Sequence, residues 1–165
     1  MNRLTTLLIS GLAGLVLCSS TTEKQKFKGE LYFKLISIGS YYNADSATVK
    51  KFERTFDSLM SVNKSDLSKD DLALVNIYGG LRKHGLIDKP FFDLRTDSIT
   101  TYIVYTSPAE FNKVKNFKRE DLLKENKKIQ IELTGEIINL GTIDVIRCST
   151  IDQVEKVNGK TYWRK

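Results

Sequence analysis

Residues 129–163 read IQIELTGEIINLGTIDVIRCSTIDQVEKVNGKTYW, and they decide the fold class. Period-two alternation predicts strands over Ile129–Leu140 and Thr142–Ile151, with Ile146 and Cys148 on one face. Asn158-Gly159 is a strong short-range hairpin signal, because both residues tolerate the positive φ of a tight turn. It predicts a terminal hairpin joining Val154–Val157 to Lys160–Trp163.

Working outward, Ile99–Thr106 (ITTYIVYT) is another strand, preceded by Phe91–Asp97, which turns Asp93, Arg95 and Asp97 to one side. Near the start, FKGELYFKLISI (27–38) predicts an early, largely buried strand. Leu31, Phe33 and Leu35 share one face, Tyr32, Lys34 and Ile36 the other. Between these lies a helical pair. Asp45 or Ser46 caps the first helix, whose Val49, Phe52, Phe56 and Leu59 follow a three-and-four spacing and which ends near Val62. Ser68 with Asp71 resembles a capping box and opens the second, with Leu72, Val75 and Tyr78 inward and Gly79-Gly80 weakening its middle. Arg82-Lys83-His84-Gly85 ends it, cations beside the negative pole of the dipole and Gly85 in the left-handed position. Ser107-Pro108 starts a short helix, and Arg119–Asn126 gives another turn or two. Short connections, without regular alternation of strands and long helices, give an α+β fold: early strand, helical pair, then a mostly antiparallel sheet.

The first seventeen residues have the build of a secretory signal, with Arg3 followed by the uncharged stretch Leu4–Leu17. That stretch is shorter than the roughly 20 residues that span a bilayer, and the polar run Ser19–Lys24 follows it. Leu15-Val16-Leu17-Cys18 resembles a bacterial lipobox, with Leu17 standing where that family usually carries Gly, Ala or Ser. The resemblance implies a lipoprotein acylated at Cys18 and anchored in the bacterial cell envelope, its domain in the periplasm. The expected organisation is a signal peptide (1–17), a lipidated tether (18–26) and one α+β domain (27–165). Cleavage after Ser20 is the alternative, and it would leave Cys18 removed or, if the cut falls elsewhere, free to pair with Cys148. With Cys18 acylated, Cys148 has no partner and reads as a small buried side chain.

Hydrophobic content of 41% and charged content of 28% are those of a globular domain. Loss of Arg3 with the signal lowers the net charge from +6 to +5. Most of that excess lies between Lys113 and Lys128, where Lys115, Lys118 and Lys124 are candidates for binding anionic lipid or an acidic partner. A solvated helical face explains the same interleaved charges. No recognition motif accompanies them, and nucleic acid is not an expected partner.

The sequence nominates no catalytic residue, no metal site and no cofactor. His84 is the sole histidine and sits at a helix end. A cysteine site cannot be built on Cys148 alone. The carboxylate pairs Asp93/Asp97 and Glu132/Glu136 lie four apart in strands, and each reads as cross-strand charge. The Asn63–Asp71 cluster lacks the glycine of a calcium loop, and Gly79-Gly80 lacks the ending of a phosphate loop. Tyr41 and Tyr42, in a loop, are candidates for contact with a protein or small molecule.

These readings give a non-catalytic binding or interaction module held at a membrane by lipid. The alternatives are an immunity lipoprotein that neutralises a toxin and a small hydrolase using carboxylates. Asn158-Gly159 followed by Tyr162 and Trp163 also looks like the last hairpin of small envelope domains related to nuclear transport factor 2. That likeness covers about ten residues, and the early strand departs from that family's order, so no pocket residue is carried over.

Overall fold

The two longest strands, β4 (Lys127–Asn139) and β5 (Asp144–Asn158), pair antiparallel along their whole lengths, from Lys127 opposite Asn158 to Asn139 opposite Asp144. The computed structural model describes residues 23–33 and 40–161. Cys18 and the signal segment, residues 34–38 of the early strand, and Tyr162 and Trp163 lie outside them.

Ahead of the β4–β5 ribbon come β1 (Gln25–Tyr32), α1 (Ser46–Met60), a 3₁₀ turn (Lys64–Asp66), α2 (Lys69–Lys83), β2 (Phe91–Arg95), β3 (Thr101–Tyr105), α3 (Pro108–Phe111) and α4 (Arg119–Glu125). The helix starts are where their caps predict. The Asp45 carboxylate accepts from the N–H groups of Ala47 and Thr48, and the Ser68 hydroxyl accepts from the Asp71 N–H while donating to its carboxylate. Helix α2 ends in a Schellman motif: Leu86 N–H bonds Leu81 O, Gly85 N–H bonds Arg82 O, and Gly85 has φ +65°.

The class is α+β, and its sheet closes into a barrel in the order β1-β2-β3-β5-β4. Strand β1 makes closure by pairing antiparallel with both β4 and β2, and the β3–β5 seam is parallel. Two residues of β5, Ser149 and Asp152, have no opposite number on β4 and bulge out of the ladder. Bulges sharpen the local twist, which lets a long two-stranded ribbon wrap into a barrel wall. Hydroxyls of Thr134 and Thr150 hold the Asp152 carboxylate, 2.7 and 2.8 Å away. Gly135 marks the tightest point, because a Cβ there would lie 2.7 Å from Arg147 O.

The Asn158-Gly159 signal has a different outcome from the one expected. Val154–Val157 is the far end of β5, paired with β4, and Lys160 and Thr161, the described part of the expected second arm, are not in a strand. Gly159 takes φ +135° and its N–H bonds Asn126 O, so the dipeptide ends the strand against the α4–β4 corner. Of the two residues only Gly159 has a positive φ, Asn158 stays in the strand, and thirteen residues of β4 offer the longer partner.

Side chains of all the strands meet inside the barrel, among them Leu31, Leu94, Val104, Ile131 and Ile146. Phe111, Val114, Phe117 and Leu122, from the α3–α4 segment, pack on that interior. A second core lies outside the wall, where α2 sets Ile77 and Leu81 against Ile103, Tyr105, Ile138 and Val145. Gly80 permits this approach: a Cβ there would lie 2.7 Å from a Leu140 methyl. Helix α1 covers α2 through Phe52, Phe56 and Tyr78, with the Arg82 guanidinium 4.4 Å from the centre of the Phe56 ring.

Candidate functional site

Strand alternation sends Ile129 and Ile131 of β4, and Leu31 of β1, inward, so Lys128, Gln130 and Glu30 must face out. Register then assembles them. Glu30 is opposite Gln130 on one side and Arg95 on the other, and these residues share one outer patch spread over three strands. The turn after β2 adds Thr96, Asp97 and Ser98. The result is an open cavity of about 510 Å³ lined by these groups together with Lys28 and Gly29. Gly29 is needed there, because a Cβ would fall 2.5 Å from Arg95 O and drive the end of β2 away.

Glu30 is the unusual member. It is 7% exposed, and its Oε2 lies 3.3 Å from the Arg95 guanidinium and 3.6 Å from the Lys128 ammonium. Its Oε1 is buried with no hydrogen-bond partner among the described residues. A buried acceptor left so costs roughly 1–3 kcal/mol, and such groups concentrate where something other than stability is served. Arg95 also lies 5.6 Å from the centre of the Tyr32 ring. At the rim the Lys28 ammonium donates to Glu132 at 2.6 Å, which raises its pKa. Asp97 accepts at 2.8 and 2.7 Å from the N–H groups of Ile99 and Thr100, and these bonds hold its carboxyl below the ordinary range. The same turn leaves Ile99 91% exposed beside the cavity.

The candidates read from sequence fall elsewhere. Lys118 and Lys124 line a second cavity of about 290 Å³ with Asp121, Glu125 and Lys156, and Lys115 is exposed outside it. Lys156 is paired with Glu125. Tyr41 and Tyr42 are half-buried packing groups, the first 5.7 Å from Phe52 and the second 5.9 Å from Phe111 in edge-on contacts. Burial raises the pKa of the Tyr41 hydroxyl against the pull of Arg82. Neither tyrosine lines the Glu30 cavity.

The carboxylate pairs are engaged in the same way. Glu132 accepts from Lys28 and Glu136 from Arg147, while Asp93 is buried and Asp97 caps its turn. His84 is the C-cap of α2. Cys148 is buried and free, and burial raises its thiol to about 11. Among the described residues, no group of three His, Cys, Asp or Glu side chains is placed to hold a metal.

Sequence reasoning passed over Glu30 and Gln130, took Lys128 only as the end of the basic segment, and set Arg95 on one side with Asp93 and Asp97. One signal was present: an acid in GELYF, inside a strand otherwise read as buried. Comparisons with protein-family models, curated proteins and solved structures found no match.

Proposed function

We propose that this chain is a non-catalytic binding module of a bacterial cell envelope, anchored by lipid at Cys18, and that the Glu30 cavity is its binding surface. The observation that carries the binding reading is the buried Glu30 carboxylate, set between Lys128 and Arg95 with its Oε1 unpaired among the described residues, at an open concave surface. The anchor is supported by the apolar Leu4–Leu17 stretch ending at Cys18 and by the start of β1 at Gln25. Residues 18–24 then form a link of at most about 25 Å, which keeps the cavity near the membrane. Among the described residues no helix is long and apolar enough to cross a bilayer, so attachment falls to the acyl chains.

Intact mass of the membrane fraction tests the anchor. A diacylglyceryl adduct on a chain beginning at Cys18 is the expected result; an unmodified chain beginning at Thr21 overturns it.

A further inference from the structure

We propose that the cavity between β4, β1 and β2 is a saccharide site, taking a neutral ring that carries adjacent hydroxyls. The charges of the lining favour neither sign of ligand. Lys28 is paired with Glu132, Arg95 and Lys128 flank Glu30, and Asp97 supplies a further carboxylate, so cations and carboxylates match in number. A charged ligand would give up hydration there without a compensating excess of the opposite sign.

What the lining keeps unspent is hydrogen-bonding capacity of both kinds. Among the described residues, Glu30 Oε1 has no donor, and the Lys128 ammonium, 3.6 Å from Glu30, donates to no acceptor. The Gln130 amide and the hydroxyls of Thr96 and Ser98 are likewise without a hydrogen-bond partner among them. Glu30 and Gln130 are opposite each other on β1 and β4, which sets a carboxylate beside an amide, with Cβ atoms about 5 Å apart. Lys128, two residues from Gln130, is on the same face. Each hydroxyl of a ligand both donates and accepts, so two adjacent ones on a ring meet Glu30 as donors and Lys128 and Gln130 as acceptors. A peptide, a base or an acyl chain draws most of its affinity from apolar or aromatic contacts, and every lining residue except Gly29 is polar or charged. Ile99, 91% exposed next to Ser98, sets an apolar side chain where the C–H face of a sugar ring can rest. This inference rests on the cavity being a binding surface and not on the anchor, so it can fail while Cys18 is acylated.

The test applies the full chain, in polyoxyethylene detergent that has no sugar headgroup, to an array of neutral and charged glycans, and titrates the strongest neutral binder calorimetrically. Saturable binding of a neutral glycan at one site is expected, nearly unchanged in high salt because such a ligand has no charge to screen. Glu30→Gln should weaken it roughly tenfold or more, the effect of one hydrogen bond to a charged group, and Gln130→Ala should weaken it less. Lys124→Gln, in the other cavity, should leave it unchanged. Where Glu30→Gln fails to fold, Gln130→Ala and Lys128→Gln decide. Binding confined to charged glycans and lost in Gln130→Ala overturns the neutral class while the cavity stands as a binding surface. Binding of a neutral glycan that survives both Gln130→Ala and Lys128→Gln overturns the cavity as its site, and absence of binding to every glycan overturns the inference.

Discussion

Ile103, Tyr105, Ile138 and Val145 point outward from the β3–β5–β4 part of the barrel wall, and Lys28, Glu30, Arg95 and Lys128 point outward from the β4–β1–β2 part. Both sets occupy the outward positions of one alternation, yet one is apolar and lies under α2 while the other is charged and open. A barrel interior this small is filled by side chains and leaves no room for a ligand. The outer wall therefore divides the work: one side completes the core, and the other is left for recognition. The asymmetry also explains where α2 packs, since a cover is needed only where the wall is apolar.

The most severe way to break the contrast is to loosen the covered side. Leu81 is fully buried between α2 and the wall. Leu81→Ala should cost about 2–5 kcal/mol by leaving a cavity, and it should lower the urea midpoint without a change in slope. Below that midpoint the open side should bind its ligand as before. A cost under about 1 kcal/mol would mean that α2 is not the cover the packing implies.

Alkaline pH separates interior from exterior more gently. The Cys148 thiol ionises near 9 when exposed and at about 11 in the fold, because burial disfavours the thiolate. The unfolded chain thus gives up its proton first, and folded stability is complete below pH 9 and falls as pH rises toward 11. The loss should be about 2–3 kcal/mol. Burial also raises the Tyr105 hydroxyl, which adds a loss in the same direction at higher pH. Denaturant titrations at pH 9 and 11 check this: Cys148→Ala should show a smaller drop than the parent, and equal drops would remove Cys148 as a cause.

What was legible in the sequence follows the range of the interactions. Helices α1 and α2 could be read because their determinants are local: Asp45 and Ser68 cap, Gly85 takes the left-handed turn, and Phe52 and Phe56 repeat at helical spacing. The barrel could not be read in this way. Closure depends on β1 meeting both β4 and β2, and on β3 meeting β5 in parallel, pairings between residues far apart in the chain. The cavity inherits the same difficulty, since Glu30, Arg95 and Lys128 become neighbours only once that register exists. Charge density along the chain pointed instead to Lys115, Lys118 and Lys124, which are neighbours in sequence and so stand out without any knowledge of the register.

The smallest effect is expected at the rim of the open side. The Lys28–Glu132 pair is short, at 2.6 Å, but its side chains are 67% and 41% exposed. Water and salt screen such a pair, and ordering two long side chains offsets most of what attraction remains. Lys28→Gln should therefore move the thermal midpoint by no more than about 2 °C. The raised Lys28 pKa gives the sign of its pH dependence: the contribution is complete below the ordinary lysine range and vanishes above it. A larger shift, persisting in high salt, would show the open side to be a structural support like the covered one. A small shift keeps the two sides apart in what they contribute to stability.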